Sequence, residues 1–232
     1  MDTMEKNVVS MDDGRGFLSV CARLWKENKV AVACAAIILV FALGALFAPV
    51  LTPYTYEEIT EAGRLASPSA VHLLGTDELG RDVFTRLLYG ARISLMVGLI
   101  PTILSMAAGA LLGILAGYLG GRVDSVIMRL ADIMLAFPSM LLAMVIMYTL
   151  GDGIINIFLA LALVNWASVA RIVRAETLKL KETEYVEAAR SIGVSRWKIM
   201  ARHVLPNCIP SLIVLFFFTV QIPITLTEIH SK

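Results

Sequence analysis

The sequence predicts an all-α, polytopic membrane helix bundle. Three observations predict it: an apolar excess too large for a soluble core, uncharged stretches long enough to cross a bilayer, and a lopsided distribution of lysine and arginine. The 232-residue chain is 58% apolar and 17% charged, with mean hydropathy +0.77. A soluble domain lies near about 45–50% apolar and about 25% charged. The same figures exclude disorder, which needs low hydrophobicity and high charge. A net charge of +1 gives no general case for nucleic-acid binding.

Five stretches carry no charged side chain: residues 30–51, 93–117, 133–150, 154–170 and 209–227. At about 1.5 Å rise per residue, roughly 17–25 residues span the ~30 Å hydrocarbon core. Each stretch is therefore expected to be a transmembrane helix. The first is not a cleavable signal peptide, because it starts late, runs too long and offers Ala48-Pro49-Val50 as a poor cleavage context. Pro101 and Pro138 fall inside two spans and are expected to kink them.

Of the 20 Lys and Arg residues, 15 lie in residues 1–29, 118–132 and 171–208, which places those segments and the N-terminus in the cytoplasm. The 52–92 loop then lies outside the cell, with four basic residues against six acids. The chain divides into a cytoplasmic tail (1–29), a first span (30–51), the outer loop with an interfacial helix (52–92), a core with its cytoplasmic segment 171–208 (93–228) and a short tail (229–232). In the outer loop, Gly75 and Gly80 punctuate a polar turn, Thr76 or Asp77 can cap the segment after it, and residues 82–89 read as a short helix at the interface.

Gly109, Gly113 and Gly117 stand at i, i+4 and i+8, a doubled small-xxx-small stripe that lets a helix backbone approach a neighbour closely. Arg129 and Asp132, three residues apart, can meet on one helical face as a structural ion pair. No other titratable group lies deep in a span, and His72, His203 and His230 all fall outside. H-E-x-x-H, G-x-S-x-G and G-x-x-x-x-G-K-[ST] are absent, so neither a membrane hydrolase nor ATP binding through a P-loop of this chain is expected. Cys21, Cys34 and Cys208 are not placed for an obvious disulfide or metal site.

Residues 183–207 read as two short helices joined by a tight turn. Thr183 is an N-cap candidate with Glu184 in the first turn, Gly193 suits a left-handed C-terminal cap, and Ser195 starts a second helix that stops before Pro206. Tyr185, Ala188, Ala189 and Ile192 form a narrow apolar face. Such a helix either packs under its own bundle or inserts into a partner's groove.

Glu187-Ala188-Ala189, three residues, Gly193, then nine residues to His203-Val-Leu205-Pro206 resembles the EAA signature of ABC-importer permeases. Leu74-Gly-Thr-Asp-Glu-Leu-Gly-Arg-Asp82, running on through Arg86 to Leu95, is similar to the dipeptide/oligopeptide/nickel branch (DppC/OppC-type, MetI-like). Arg129-Leu-Ala-Asp132 with Phe137-Pro138, and Trp166 followed by Ala170-Arg-Ile-Val-Arg174, agree with it. The resemblance implies a non-enzymatic permease subunit in a bacterial or archaeal plasma membrane, importing peptides or a related small solute such as nickel. It implies four kinds of partner: the lipid bilayer, a second permease subunit, two cytoplasmic ATPases and an extracytoplasmic substrate-binding protein. ATP and Mg would belong to the ATPases, with no cofactor in this chain. Tyr185, Glu187, Ala188, Ala189, Ile192 and Gly193 would form the coupling segment that docks into an ATPase. The family continues past the fifth span into an outer loop and a sixth span; Leu226-Thr-Glu228 stands where that loop begins, so the sixth helix is expected to be missing. A truncated scaffold or regulatory subunit that does not transport is the alternative.

Overall fold

The structure is a computed structural model that describes residues 29–230; the expected 1–29 tail lies outside them except for Lys29, and of the expected 229–232 tail Ile229 and His230 are the last residues of the final helix while 231–232 lie outside. Among the described residues every regular element is helical, and the only β pairing is two isolated bridges, Ile59 with Arg81 and Thr76 with Asp82. The helices are α1 (Lys29–Leu46), α2 (Ala48–Leu51), α3 (Val83–Leu119), α4 (Gly121–Ala136), α5 (Ser139–Leu150), α6 (Ile154–Leu180), α7 (Glu184–Ser191), α8 (Arg196–Ile199) and α9 (Leu205–His230), with a π-helical turn at Met200–Val204 before α9. The chain forms two compact units that divide after Arg92.

Spans differ from expectation in two places. Among the described residues three helices are long and apolar enough to cross a membrane: α3, α6 and the one from Arg196 to Val220; α4 and α5 would make a fourth if taken as one broken span. The expected 133–150 span is not a kinked helix. Its chain bends by 97° where α4 meets α5. Phe137 before Pro138 is extended, at φ −96° and ψ 144°, because the proline ring disfavours helical geometry in the residue ahead of it. The expected 30–51 span likewise breaks at Phe47, and the apolar part of α1, Val32–Leu46, is short for a crossing. Pro101, by contrast, sits buried within an unbroken α3. The chain is a multi-pass membrane protein.

In the first unit the expected interfacial helix 82–89 is not separate: it is the first two turns of the 37-residue α3. Nothing between Tyr89 and Ile93 breaks it, since Gly90 is tolerated in a helix and no proline intervenes. The cap is Asp82, not Thr76 or Asp77. Its Oδ2 accepts the Thr85 N–H at 2.7 Å while Oδ1 lies 3.0 Å from Nδ1 of buried His72. Asp77 instead gathers the turn. Oδ1 accepts the N–H groups of Leu79 and Arg81, each at 2.9 Å, and Oδ2 accepts from Arg81 Nε and from the Arg86 guanidinium. Gly75 is required at φ +75°, where a Cβ would lie 2.3 Å from the Ala66 carbonyl oxygen.

In the second unit α3 and α6 meet along the glycine stripe. A Cβ on Gly109 would lie 2.7 Å from the Trp166 carbonyl oxygen, on Gly113 2.6 Å from that of Ala170, and on Gly117 2.9 Å from that of Arg174. The helices touch backbone to backbone. α6 also packs Ala167 and Ala170 against Ala131 of α4, and Val169 and Val173 into the cluster that holds α7, α8 and the π turn.

Ionic ties join α4 to α6 and correct the expected Arg129–Asp132 pair. Asp132 Oδ1 accepts instead from Arg171 Nη2 at 2.6 Å. Asp124 accepts both Nε and Nη2 of Arg174 at 2.5 and 2.6 Å. The close packing of α4 on α6 puts a long-range guanidinium nearer than the local i,i+3 one, and the second pair is bidentate.

These contacts make two predictions. Gly113→Ala is expected to destabilise the detergent-solubilised protein by about 1–3 kcal/mol, because a methyl group cannot fit against the Ala170 carbonyl. Gly90→Ala, with nothing within 4 Å, is expected to stabilise it by about 0.5–1 kcal/mol; thermal unfolding that ranked the pair the other way would refute the backbone contact. The second concerns acid. Burial opposes ionisation of Asp77, but the Arg81 and Leu79 N–H groups and the Arg81 and Arg86 guanidiniums outweigh it and hold its carboxyl well below the usual carboxylate range. For Asp82 burial is likewise outweighed, by the Thr85 N–H and His72. Both pKa values are lower folded than unfolded, so the stabilisation is complete at neutral pH and is lost as pH falls below the ordinary carboxylate pKa of about 4. The protection of the loop amides, measured as exchange relative to the intrinsic rate at each pH, should fall below that pH, and Asp77→Asn should show the lower protection already at pH 7.

Candidate functional site

The segment after α6 is built as a rigid foot. α6 ends at Leu180, and Thr183, extended at φ −76° and ψ 147°, starts α7. Its carbonyl accepts the Val186 and Glu187 N–H groups at 3.1 and 3.0 Å. The hydroxyl does not cap α7: it donates back to the Leu180 carbonyl at 2.6 Å, so one residue closes the old helix and opens the new one. Glu184 and Glu187 occupy the first turn and Arg190 the last, each favourable to the helix dipole.

At the other end, Gly193 adopts φ +81°. Its N–H bonds the Arg190 carbonyl at 3.0 Å, and the Val194 N–H bonds the Ala189 carbonyl at 3.1 Å. This is the Schellman arrangement, completed by the apolar contact of Ala189 and Val194 in one cluster.

The apolar face of α7 divides differently from the expectation. Val186 is fully buried and Ala189 nearly so, packed with Ile199, Met200 and Val204 and with Val169, Val173 and Tyr118. Val186 was missing from the expected face. Tyr185, Ala188 and Ile192 point away, with Ile192 82% exposed, and Glu187 and Gly193 are exposed beside them. The helix packs under its own bundle through one side and presents a second apolar strip through the other. The larger, β-branched Val186 takes the core position, and Ala189, one turn along, must follow it.

Two aromatic contacts brace the foot: Arg190 Cζ lies 5.9 Å from the centroid of the Tyr118 ring, and the Tyr185 and His203 rings are 6.3 Å apart. The second short helix does not stop before Pro206. It passes through the π turn, where the Leu205 N–H reaches back to the Met200 carbonyl, and α9 runs on through Pro206 and Pro210. The widened turn relieves the clash that a proline ring makes with the preceding turn, and Asn207 Nδ2 donates to the His203 carbonyl at 2.6 Å. Among the described residues no three His, Cys, Asp or Glu side chains gather as metal ligands would.

The features that the sequence does not announce are Val186, Asp124 with Arg174, and the Asp82–His72 pair. Only Val186 had a local signal, its i,i+3 spacing to Ala189.

Residues 109–227 match the family described as binding-protein-dependent transport system inner membrane component, and residues 18–68 match the N-terminal TM domain of oligopeptide transport permease C. The chain is 44% identical over 189 residues to a dipeptide transport system permease protein DppC of Alkalihalophilus pseudofirmus, covering 82% of this chain and 62% of that one. It is 42% identical over 195 residues to a glutathione transport system permease protein GsiD of Pectobacterium atrosepticum, covering 84% and 65%. It is 38% identical over 219 residues to a DppC of Bacillus subtilis, covering 93% and 68%. The chain thus spans about two thirds of the length of these curated relatives. With a family match over half of its residues and this likeness to its permeases, the chain belongs to the family of binding-protein-dependent transport system inner membrane components.

Proposed function

We propose that this chain is a permease subunit of an ATP-driven importer for peptides or a related small solute. It pairs with a second permease, receives substrate from a binding protein on the outer side, and docks two ATPases on the cytoplasmic side, where its N-terminus lies. ATP and Mg belong to those ATPases. The supporting observation is α7. A short helix locked to the bundle by Val186 and Ala189 exposes Tyr185, Ala188 and Ile192 to a partner. The excess of basic residues in 171–208 supports a cytoplasmic position for that face. The names of its relatives support peptide-like solutes.

The working step is mechanical. ATPase closure displaces α7. Because Val186 and Ala189 share one cluster with Val169, Val173 and Tyr118, the displacement reaches α6 and the end of α3 as a rigid-body shift rather than a local bend. The pathway then alternates between inward and outward access. No covalent chemistry is assigned to this chain.

Ala188→Glu and Ile192→Glu are expected to abolish co-purification with the ATPases while membrane insertion and thermal stability stay near wild type, since both positions are exposed. Gly193→Val strains the positive-φ cap and should reduce docking, whereas Gly193→Asn, which tolerates that conformation, should retain most of it. Wild-type yields of ATPase with both Glu variants would refute the docking face. Docking without substrate uptake in reconstituted vesicles would refute the transport reading alone.

A further inference from the structure

Two cavities lie end to end between α3 and the α8–α9 segment. The first is an apolar groove of about 470 Å³, lined by Ala107, Leu111 and Ile114 of α3 and, opposite, by Trp197, Ala201 and Leu205. The second, of about 410 Å³, is lined by Tyr118 and by Lys181, Arg190, Ser195 and Arg196. Positions 107, 111, 114 and 118 succeed one another at helical spacings of four, three and four, so the pocket continues the same face of α3 as the groove.

The pocket is cationic. None of Lys181, Arg190 and Arg196 forms an ion pair with a described residue, and Arg190 is held over the Tyr118 ring. Three like charges on the wall of one cavity repel, and an anion between them removes that repulsion. The level is that of lipid headgroups: the uncharged stretch of α3 ends at Gly117, and the next residue, Tyr118, lines the pocket. Trp197, 67% exposed, stands where groove and pocket join, the depth at which interfacial tryptophans sit.

The groove decides the kind of anion. From Met106 to Leu115 it runs about 14 Å along α3, close to one leaflet's half of the ~30 Å hydrocarbon core. Inorganic phosphate has no use for that wall, and a soluble acidic partner does not reach that depth. We propose that groove and pocket form one binding site for an anionic phospholipid, with an acyl chain along α3 and the phosphate against Lys181, Arg190 and Arg196. Because Arg190 and Gly193 belong to α7 and its cap, the bound lipid braces the docking helix from the side opposite its exposed strip.

Native mass spectrometry of the 232-residue chain tests this with three probes: phosphatidylglycerol, phosphatidylcholine and inorganic phosphate. One phosphatidylglycerol is expected to be retained in preference to phosphatidylcholine. Arg190→Gln with Arg196→Gln should lower that retention roughly tenfold or more, and the corresponding Lys pair should keep most of it. Ala107→Phe, at an exposed position, should obstruct the groove and weaken the lipid but not inorganic phosphate. Equal retention of the two lipids overturns the proposal. So does phosphatidylglycerol binding that Ala107→Phe leaves intact, which would make the pocket a simple anion site. An Ala107→Phe variant that changes oligomeric state with lipid retention unaltered, or an Arg pair whose loss affects only ATPase docking, assigns the surface to a protein partner and overturns it as well.

Discussion

The contact between α3 and α6 at Gly109, Gly113 and Gly117 is the constraint on which the second unit depends. Lipid offers helices no hydrophobic drive to associate, so close packing must supply the attraction, and side chains on both surfaces would hold the axes apart. Here one surface has none. The α3 backbone reaches the carbonyls of Trp166, Ala170 and Arg174 directly. With that side of α6 occupied, its remaining sides are assigned. Ala167 and Ala170 face α4, the guanidiniums of Arg171 and Arg174 reach the α4 acids, and Val169 and Val173 form the floor under α7.

Placement of charge obeys the same economy. In the buried middle of α3 the hydroxyls satisfy themselves: Thr102 donates to the Gly98 carbonyl at 2.7 Å, and Ser105 to that of Thr102 at 2.9 Å; Thr85 of α3 and Thr177 of α6 are the buried hydroxyls left without a partner among the described residues. Ionised groups lie towards helix ends, where Arg171 and Arg174 meet Asp132 and Asp124. The outer loop shows how few residues this needs. Asp77 and Asp82, five positions apart, neutralise Arg81 and Arg86, hold His72 and cap α3, so a segment with almost no β pairing still has a defined path.

The features legible in the sequence were those that a helix's own period encodes. The glycine stripe is a spacing of four, the α7 cap is a glycine after a periodic run, and the apolar stretches are lengths. Features that depended on a second element were not legible. Asp132 has Arg129 one turn away by sequence and Arg171 beside it in space, and only the packing of α4 on α6 chooses between them. Val186 and Ala189 became the inward pair because Ile199 and Val204 lie there, which no window around α7 contains. Pro101 and Pro138 are the same residue type with opposite outcomes. Pro101 is buried in a tightly held α3, whereas at Phe137-Pro138 the extended geometry of the preceding residue prevails and the helix breaks.

The shortness of α7 decides how it is held. An isolated eight-residue helix is unstable in water, since nucleation costs more than so few hydrogen bonds return. It exists because Thr183 starts it, the Gly193 turn ends it and Val186 nails it to the bundle. Each of those restraints also removes slack. A longer helix with a flexible tether could track a moving partner without disturbing the membrane core. One fixed at both ends and at its centre cannot, so whatever displaces Tyr185, Ala188 and Ile192 must also move Val169 and Val173, and through Gly113 and Gly117 the end of α3. The features that make the helix stable are those that the proposed docking would use to turn it into a lever.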